Sequence, residues 1–297
     1  MNPILLTLGT SIDQTFAGFD MWVFRFFGSM HNDFLTYVAK FFTTFGDEAF
    51  TIPVVILAVV LCFFKKTRKY GFALIFAIAI GTIVTNVVVK PMALRIRPYN
   101  TLQADPDYWS WYVSAGMLSE GDYSFPSGHT TAAVEMATAL FLCFRSDKKK
   151  IAYLFPLIAI CTAGSRVYLM VHYSTDVLAG VIVGVLSAVI GYFLMKLVLK
   201  IKFLEKIDAA KLFKKLTEKT KGKAAPVVIC LAFLGIFLYA FIPSLTEGGS
   251  DTVRCAFETG DYKCYNAARL EDDYPAIDGE RYCKIHWKQL SGETENN

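Results

Sequence analysis

The chain has 297 residues, of which 54% are hydrophobic and only 19% charged, with a formal net charge of +4. That balance excludes an ordinary soluble domain and points to a multi-pass membrane protein. No repeat and no nucleic-acid motif accompanies it, so the placement of the few charges carries the information.

Residues 1–45 are aromatic and apolar but broken by Asp13, Asp20, Arg25, His31, Asp33 and Lys40, leaving no clean apolar run of about 20 residues. The pattern predicts two amphipathic helices lying in the interface, 14–29 and 33–45, with one short spanning helix as the alternative. The N-terminus lacks a basic n-region and a small-residue cleavage site, so the first apolar helix serves as insertion signal. Spanning helices are predicted at 49–64, 71–90, 127–144, 151–170, 176–199 and 225–243. The expected organisation is an all-α polytopic helical bundle. Interfacial helices (1–45) precede a transmembrane core of about five helices (46–200). A basic linker (201–224), an extra spanning helix (225–243) and a polar tail (244–297) follow. Cys62, Cys143, Cys161 and Cys230 sit in apolar runs and read as small hydrophobes. Cys255, Cys264 and Cys283 lie in the tail, where one disulfide with a thiol left over is open.

Orientation follows from the basic loops. Lys65, Lys66, Arg68 and Lys69 lie after the first span, Arg145 and Lys148–Lys150 after the third, and the lysine-rich 200–223 after the fifth. Alternation places all three on one side, read as cytoplasmic. The segment 99–125 carries Asp105, Asp107, Glu120 and Asp122 without Lys or Arg and falls outside, with the tail. The 200–223 loop reads as a basic amphipathic helix, with Leu204, Ile207, Leu212, Phe213 and Leu216 on its apolar face, or simply as positive-inside charge. Trp109, Trp111 and Tyr112 read as an interfacial aromatic anchor, with a lid over a lipid tail as the alternative.

Three polar clusters fall on the outer side. Lys90 and Arg97 end the second span seven residues apart, a spacing that puts them on one helical face, with Pro98 as the stop. Pro126-Ser127-Gly128-His129 opens the third span, with Ser127 a natural N-cap and the helix N-terminus a ready place for a phosphate. Ser165-Arg166-x5-His172-x3-Asp176 bridges the fourth and fifth spans. There an i,i+4 carboxylate can take the Nδ1–H of His172 and leave Nε2 free to attack. Glu135, inside the third span, is costly unless solvated or paired, and pairing with a basic site residue is one expectation.

The series Lys90-x6-Arg97-Pro98, Pro126-Ser127-Gly128-His129 and Ser165-Arg166-x5-His172-x3-Asp176 resembles the type 2 phosphatidic acid phosphatase (PAP2) family over roughly residues 30–200. The resemblance implies a membrane lipid phosphatase, hydrolysing a phosphomonoester or prenyl pyrophosphate at the outer leaflet of a bacterial membrane. His172 would be the nucleophile forming a phosphohistidine, Asp176 its orienting partner and His129 the acid and base. Lys90, Arg97, Ser127, Gly128 and Arg166 would hold the phosphate. The scheme needs no metal and no cofactor, and its partners are a phosphorylated lipid and the bilayer. A lipid phosphotransferase with the same site, and a non-catalytic lipid-binding or transport protein, are the alternatives.

Overall fold

The computed structural model describes residues 7–211, 224–245, 252–260, 262–269 and 275–291. Helices α1 (Leu8–Gly28) and α2 (Asp33–Thr43) open the chain, each capped by a polar side chain: Thr7 accepts from the Thr10 amide and Asn32 from that of Leu35. α2 passes through a short 3₁₀ turn into α3 (Glu48–Cys62), whose N-cap is Asp47. α4 (Arg68–Thr82) continues without a break through a π-helical stretch, Ile83–Val89, into a single turn, α5 (Lys90–Ala93). After α6 (Pro98–Thr101) and α7 (Pro106–Ser114) come the long helices α8 (Gly128–Ser146), α9 (Leu154–Tyr168) and α10 (Ser174–Val198). α11 (Ala224–Leu245) precedes a small tail with strands β1 (Thr252–Arg254), β2 (Glu258–Thr259), β3 (Tyr262–Lys263) and β4 (Ala267–Arg269), then helix α12 (Lys284–Ser291). β1 pairs antiparallel with β4 and β2 with β3.

Among the described residues three helices are long and apolar enough to cross a membrane, Arg68–Thr101, Lys150–Tyr168 and Ser174–Val198. A fourth results if Asp33–Gly46 and Glu48–Cys62, bent by 40°, act together. α11 adds 22 residues without a charged side chain, about the length of a span. α8 is too polar to stand in lipid by itself, and α4, α9 and α10 enclose it. Small residues permit that packing: a Cβ on Gly184 would meet the Thr131 carbonyl at 2.9 Å, and one on Gly191 the Ala77 amide at 2.7 Å. The aromatic face of α11, with Phe237 and Phe241, packs on Phe41 of α2.

The ends of the bundle separate by charge. The basic segments meet at one end, where Arg68 donates to the carbonyls of Leu204 and Ile207, and Lys69 pairs with Asp147. Among the described residues of the 200–223 loop, 3₁₀ turns form at Lys202–Lys206 and Ala209–Lys211; Leu212, Phe213 and Leu216 of the expected amphipathic helix lie outside the described residues. The opposite end holds the 99–125 segment, the starts of α8 and α10, and the tail.

Two expectations change here. α1 begins at Leu8, well before residue 14, and it buries Asp20 in the bundle while Phe16, Phe19, Trp22 and Phe26 stay exposed. Trp109, Trp111 and Tyr112 belong to an aromatic core rather than a membrane belt. Tyr112 is fully buried and stacks on Tyr99, Trp109 packs on Tyr265 of the tail, and Trp111 lies so close to Gly28 that a Cβ there would meet its ring at 2.2 Å.

Candidate active site

Lys90 and Arg97 do not share a helical face. The helix stops at Ala93, where Leu94 takes a left-handed conformation (φ 51°, ψ 31°), and Arg97 is extended (φ −72°, ψ 149°) as the residue before Pro98. The chain fold, not helical periodicity, brings the two cations together. Both pair with Asp122, and the Arg97 Nε also donates to the Asp122 carbonyl at 2.9 Å. The π-helical stretch before Lys90 is the kind of helix distortion found at functional sites.

His172 lies in the short link between α9 and α10, 1% exposed. Its Nδ1 is 3.4 Å from Asp176 Oδ2, and its Nε2 is 3.1 Å from Arg97 Nη1. A guanidinium can only donate, so Nε2 accepts and the ring proton belongs on Nδ1, facing the carboxylate. Burial, then the charges of Arg97 and Arg166, holds the imidazole well below its ordinary range. His172 is therefore neutral, with a lone pair on Nε2. Asp176 is fully buried. Its Oδ2 accepts from the Ser124 hydroxyl at 2.5 Å and from the Tyr173 amide at 3.0 Å, so the residue that orients His172 also caps α10.

Behind Asp176 stands Arg95, a residue outside the three sequence clusters. Its Nη1 donates to Asp176 Oδ1 at 2.6 Å and to Thr175 Oγ1 at 2.7 Å. Its Nη2 reaches Asp20 Oδ2 at 2.9 Å and its Nε reaches Asp13 Oδ1 at 2.7 Å. Asp20 in turn accepts from the Thr175 amide and hydroxyl, at 2.9 and 2.8 Å. This buried network ties α1 to the start of α10, with hydrogen bonds on every charged group, the condition under which such groups are tolerated.

The other half of the site forms at the start of α8. His129 lies with Nε2 3.5 Å from Asp47 Oδ2 and Nδ1 3.9 Å from Glu120 Oε1. Arg166 pairs with Glu120 and donates to Thr43 Oγ1 at 2.6 Å. Gly46 lets α2 and α3 turn directly beneath His129: a Cβ there would meet the His129 carbonyl at 2.2 Å. Ser127 is the N-cap expected, accepting from Thr130 N at 3.4 Å and Thr130 Oγ1 at 3.0 Å, and its amide donates to the Asp176 carbonyl at 3.1 Å. Gly128 borders Lys90, whose Nζ would lie 3.5 Å from a Cβ at that position.

Every residue of the three sequence clusters thus lies at the same end; Arg97 contacts His172 directly, and Lys90 is joined to Arg97 through Asp122. Sequence reasoning missed Arg95, Asp13, Asp20 and Ser124, and it read Glu120 and Asp122 only as loop charge. Those two carboxylates pair directly with Lys90, Arg97 and Arg166. Burial alone would raise Glu120, but the charges of His129, Arg166 and Arg97 outweigh it and bring it down to about 2. Burial of Asp122 is likewise outweighed by Lys90 and Arg97, which hold it well below the usual carboxylate range. Glu135 does not pair with a site cation. It is 1% exposed, packs against Gly81 of α4, and its Oε2 has no hydrogen-bond partner.

Fold and site together define an all-α, multi-pass membrane protein with two histidines and a cluster of cations gathered at one end. Residues 70–200 match the PAP2 superfamily. An undecaprenyl-diphosphatase of Sulfolobus acidocaldarius is 32% identical over 170 residues, 56% of this chain and 74% of the relative. Phosphatidylglycerophosphatase B of Bacillus subtilis is 34% identical over 163 residues, 52% of this chain and 70% of the relative. The crystal structure of a transmembrane PAP2-type phosphatidylglycerolphosphate phosphatase from Bacillus subtilis superposes with a TM-score of 0.51 at 27% identity, covering 66% of this chain and 92% of that one. The chain belongs to the PAP2 superfamily.

Proposed function

We propose that this chain is a lipid phosphatase that removes phosphate from a lipid phosphomonoester or a prenyl pyrophosphate through a phosphohistidine on His172. Its site faces the extracytoplasmic side, since the basic segments gather at the opposite end. The observation that carries this reading is the placement of His172: neutral, proton on Nδ1 toward Asp176, lone pair on Nε2 beside Arg97.

Substrate phosphate enters by displacing Asp122 and Glu120 from Lys90, Arg97 and Arg166. The cations then neutralise the phosphoryl oxygens. Nε2 attacks phosphorus, the bond from phosphorus to the leaving oxygen breaks, and His129 delivers a proton to that oxygen. Asp176 stabilises the positive charge that develops on the His172 ring. Water then attacks the phosphohistidine, losing its proton to His129, and inorganic phosphate leaves. Ser127 acts through its helix cap and Gly128 by leaving room beside Lys90. The names of the relatives support both a prenyl diphosphate and a phosphatidylglycerophosphate substrate.

The test is phosphate release by detergent-purified protein from undecaprenyl diphosphate, phosphatidylglycerophosphate and phosphatidate, with His172→Ala alongside. Release that disappears in the variant, with a trapped phosphoenzyme labelled on His172, is expected. Phosphate appearing on an acceptor lipid rather than in solution would make the protein a phosphotransferase. A folded protein that binds these lipids yet turns none over would make it a binding or transport protein.

A further inference from the structure

The tail beyond α11 lies outside the residues matched to the superfamily, and it carries chemistry of its own. Its spacing is Cys255-x8-Cys264-x18-Cys283-x2-His286. Cys255 follows β1, Cys264 follows β3, Cys283 precedes α12 and His286 sits in the first turn of that helix. The fold closes these four positions onto one point. One ligand atom from each lies within 4.8 Å of every other, and all four residues are buried. His286 Nδ1 is 3.4 Å from both Cys255 Sγ and Cys283 Sγ. A tetrahedral site with metal–sulfur bonds of about 2.3 Å and a metal–nitrogen bond of about 2.0 Å sets sulfur and nitrogen about 3.5 Å apart.

The surroundings fit a metal rather than a disulfide with a spare thiol. A disulfide uses two of the three sulfurs and gives the histidine no role, whereas here the imidazole stands equally close to two of them. The ring is clamped by Phe257, stacked at 3.9 Å between centroids and 4° between planes. The Asn266 side-chain N–H points to Cys283 Sγ at 3.5 Å, an outer-shell hydrogen bond of the kind that supports thiolate ligands. The cluster is the core of the tail. Among the described residues, Phe257, Tyr262, Tyr282 and Ile285, each partly buried, pack around it, little apolar surface with which to fold so small a unit without a staple.

We propose that Cys255, Cys264, Cys283 and His286 bind one Zn²⁺ in a closed, structural Cys₃His site that folds the tail onto the active-site segment. Binding deprotonates three thiols and leaves no coordination position for substrate. The link to the segment is direct. Asn266, which donates to Cys283 through Nδ2, accepts through Oδ1 from Tyr99 Oη at 3.1 Å and Asn100 Nδ2 at 2.8 Å. The Tyr265 amide donates to Asn100 Oδ1 at 2.8 Å, Gln103 donates to the Lys263 carbonyl at 2.7 Å, and the Ala267 amide donates to the Glu120 carbonyl at 3.1 Å. The metal site therefore holds the backbone of Glu120, whose carboxylate caps Arg166.

The experiment measures zinc in full-length protein purified in detergent from cells supplied with zinc, by elemental mass spectrometry. About one zinc per chain is expected, falling close to zero in Cys264→Ser and retained in His286→Cys, which replaces one competent ligand by another. Amide exchange over residues 99–121 should quicken when wild-type protein is stripped by a chelator and slow again when zinc alone is added back. The stripped wild type supplies this second reading even if Cys264→Ser does not fold. Wild-type protein without stoichiometric metal, with two tail cysteines joined in a non-reducing peptide map, would overturn the site. Zinc that survives in Cys264→Ser and in Cys283→Ser would place the metal elsewhere. Bound zinc with no change in exchange on stripping would overturn the clamp.

Discussion

The site contains two ion-pair networks that look alike on paper and differ in their exposure to solvent. Arg95 is held by Asp176 and Asp20, whose side chains are 0% and 2% exposed, and at its edge by Asp13, 36% exposed. Lys90, Arg97 and Arg166 are held by Asp122 and Glu120, whose side chains are 40% and 29% exposed. The first network is architecture at its centre: removing Arg95 strands the buried carboxylates of Asp20 and Asp176, while Asp13 at its edge reaches solvent. The second consists of buried cations facing carboxylates that reach solvent, which under the proposed function an incoming phosphate replaces. What separates the two is that Arg95 keeps two buried carboxylates, Asp20 and Asp176, whereas Asp122 and Glu120 both reach solvent.

Substitutions at the proposed nucleophile and its support should have the largest effects. His172→Ala is expected to reduce kcat by roughly 10⁴-fold or more, because the covalent route is lost with it, as in other nucleophile–base units. Arg95→Met should be the most damaging change to the fold. It leaves the buried carboxylates of Asp20 and Asp176 without their cation, a loss of about 3–5 kcal/mol, visible as a collapse of the thermal midpoint in detergent. If Arg95→Met melts like wild type, the two networks are not different in kind.

Asp122→Asn tests the other side. With the competing charge gone, KM for the lipid phosphate should fall several-fold, a gain of about 1 kcal/mol in phosphate binding, while kcat stays within about twofold. A rise in KM would show that Asp122 organises Lys90 and Arg97 rather than holding their place.

The pH dependence sharpens the same contrast. Glu120 is lowered to about 2 in the folded protein, against about 4.3 in an unfolded chain. The unfolded chain thus binds more protons between those values, and the stability contributed by Glu120, complete above the higher one, is lost as pH falls toward 2. Glu120→Gln should flatten the acid side of the thermal midpoint. His172, lowered in the fold, adds a loss in the same direction below about 6.5. The smallest effect belongs to Ser127→Ala, where removal of the α8 cap should cost about 1 kcal/mol in stability. A selective loss of phosphate affinity there would instead make its hydroxyl a direct substrate contact.

The sequence by itself determined the all-α class, the order of the long helices, the end of the bundle that carries the polar clusters, and the histidines and cations within them. These are local properties. A run of apolar residues, a serine before a helix, and an i,i+4 pair such as His172 and Asp176 are set by the periodicity of one helix or the charge of one loop. Where the reading extended helical periodicity past its range it failed: Leu94 turns left-handed and Pro98 extends Arg97, so Lys90 and Arg97 meet only through Asp122. The tertiary structure decided everything that depends on convergence of distant segments. Arg95 lies 75 residues from Asp20 and 81 from Asp176, and Asn100 lies 166 from Asn266. No local pattern encodes such partners, because an ion pair or a metal site needs its groups at one point in space and places no constraint on their separation along the chain. The four tail ligands show the same limit: their spacing permitted a disulfide, and only the fold brought one nitrogen and three sulfurs together.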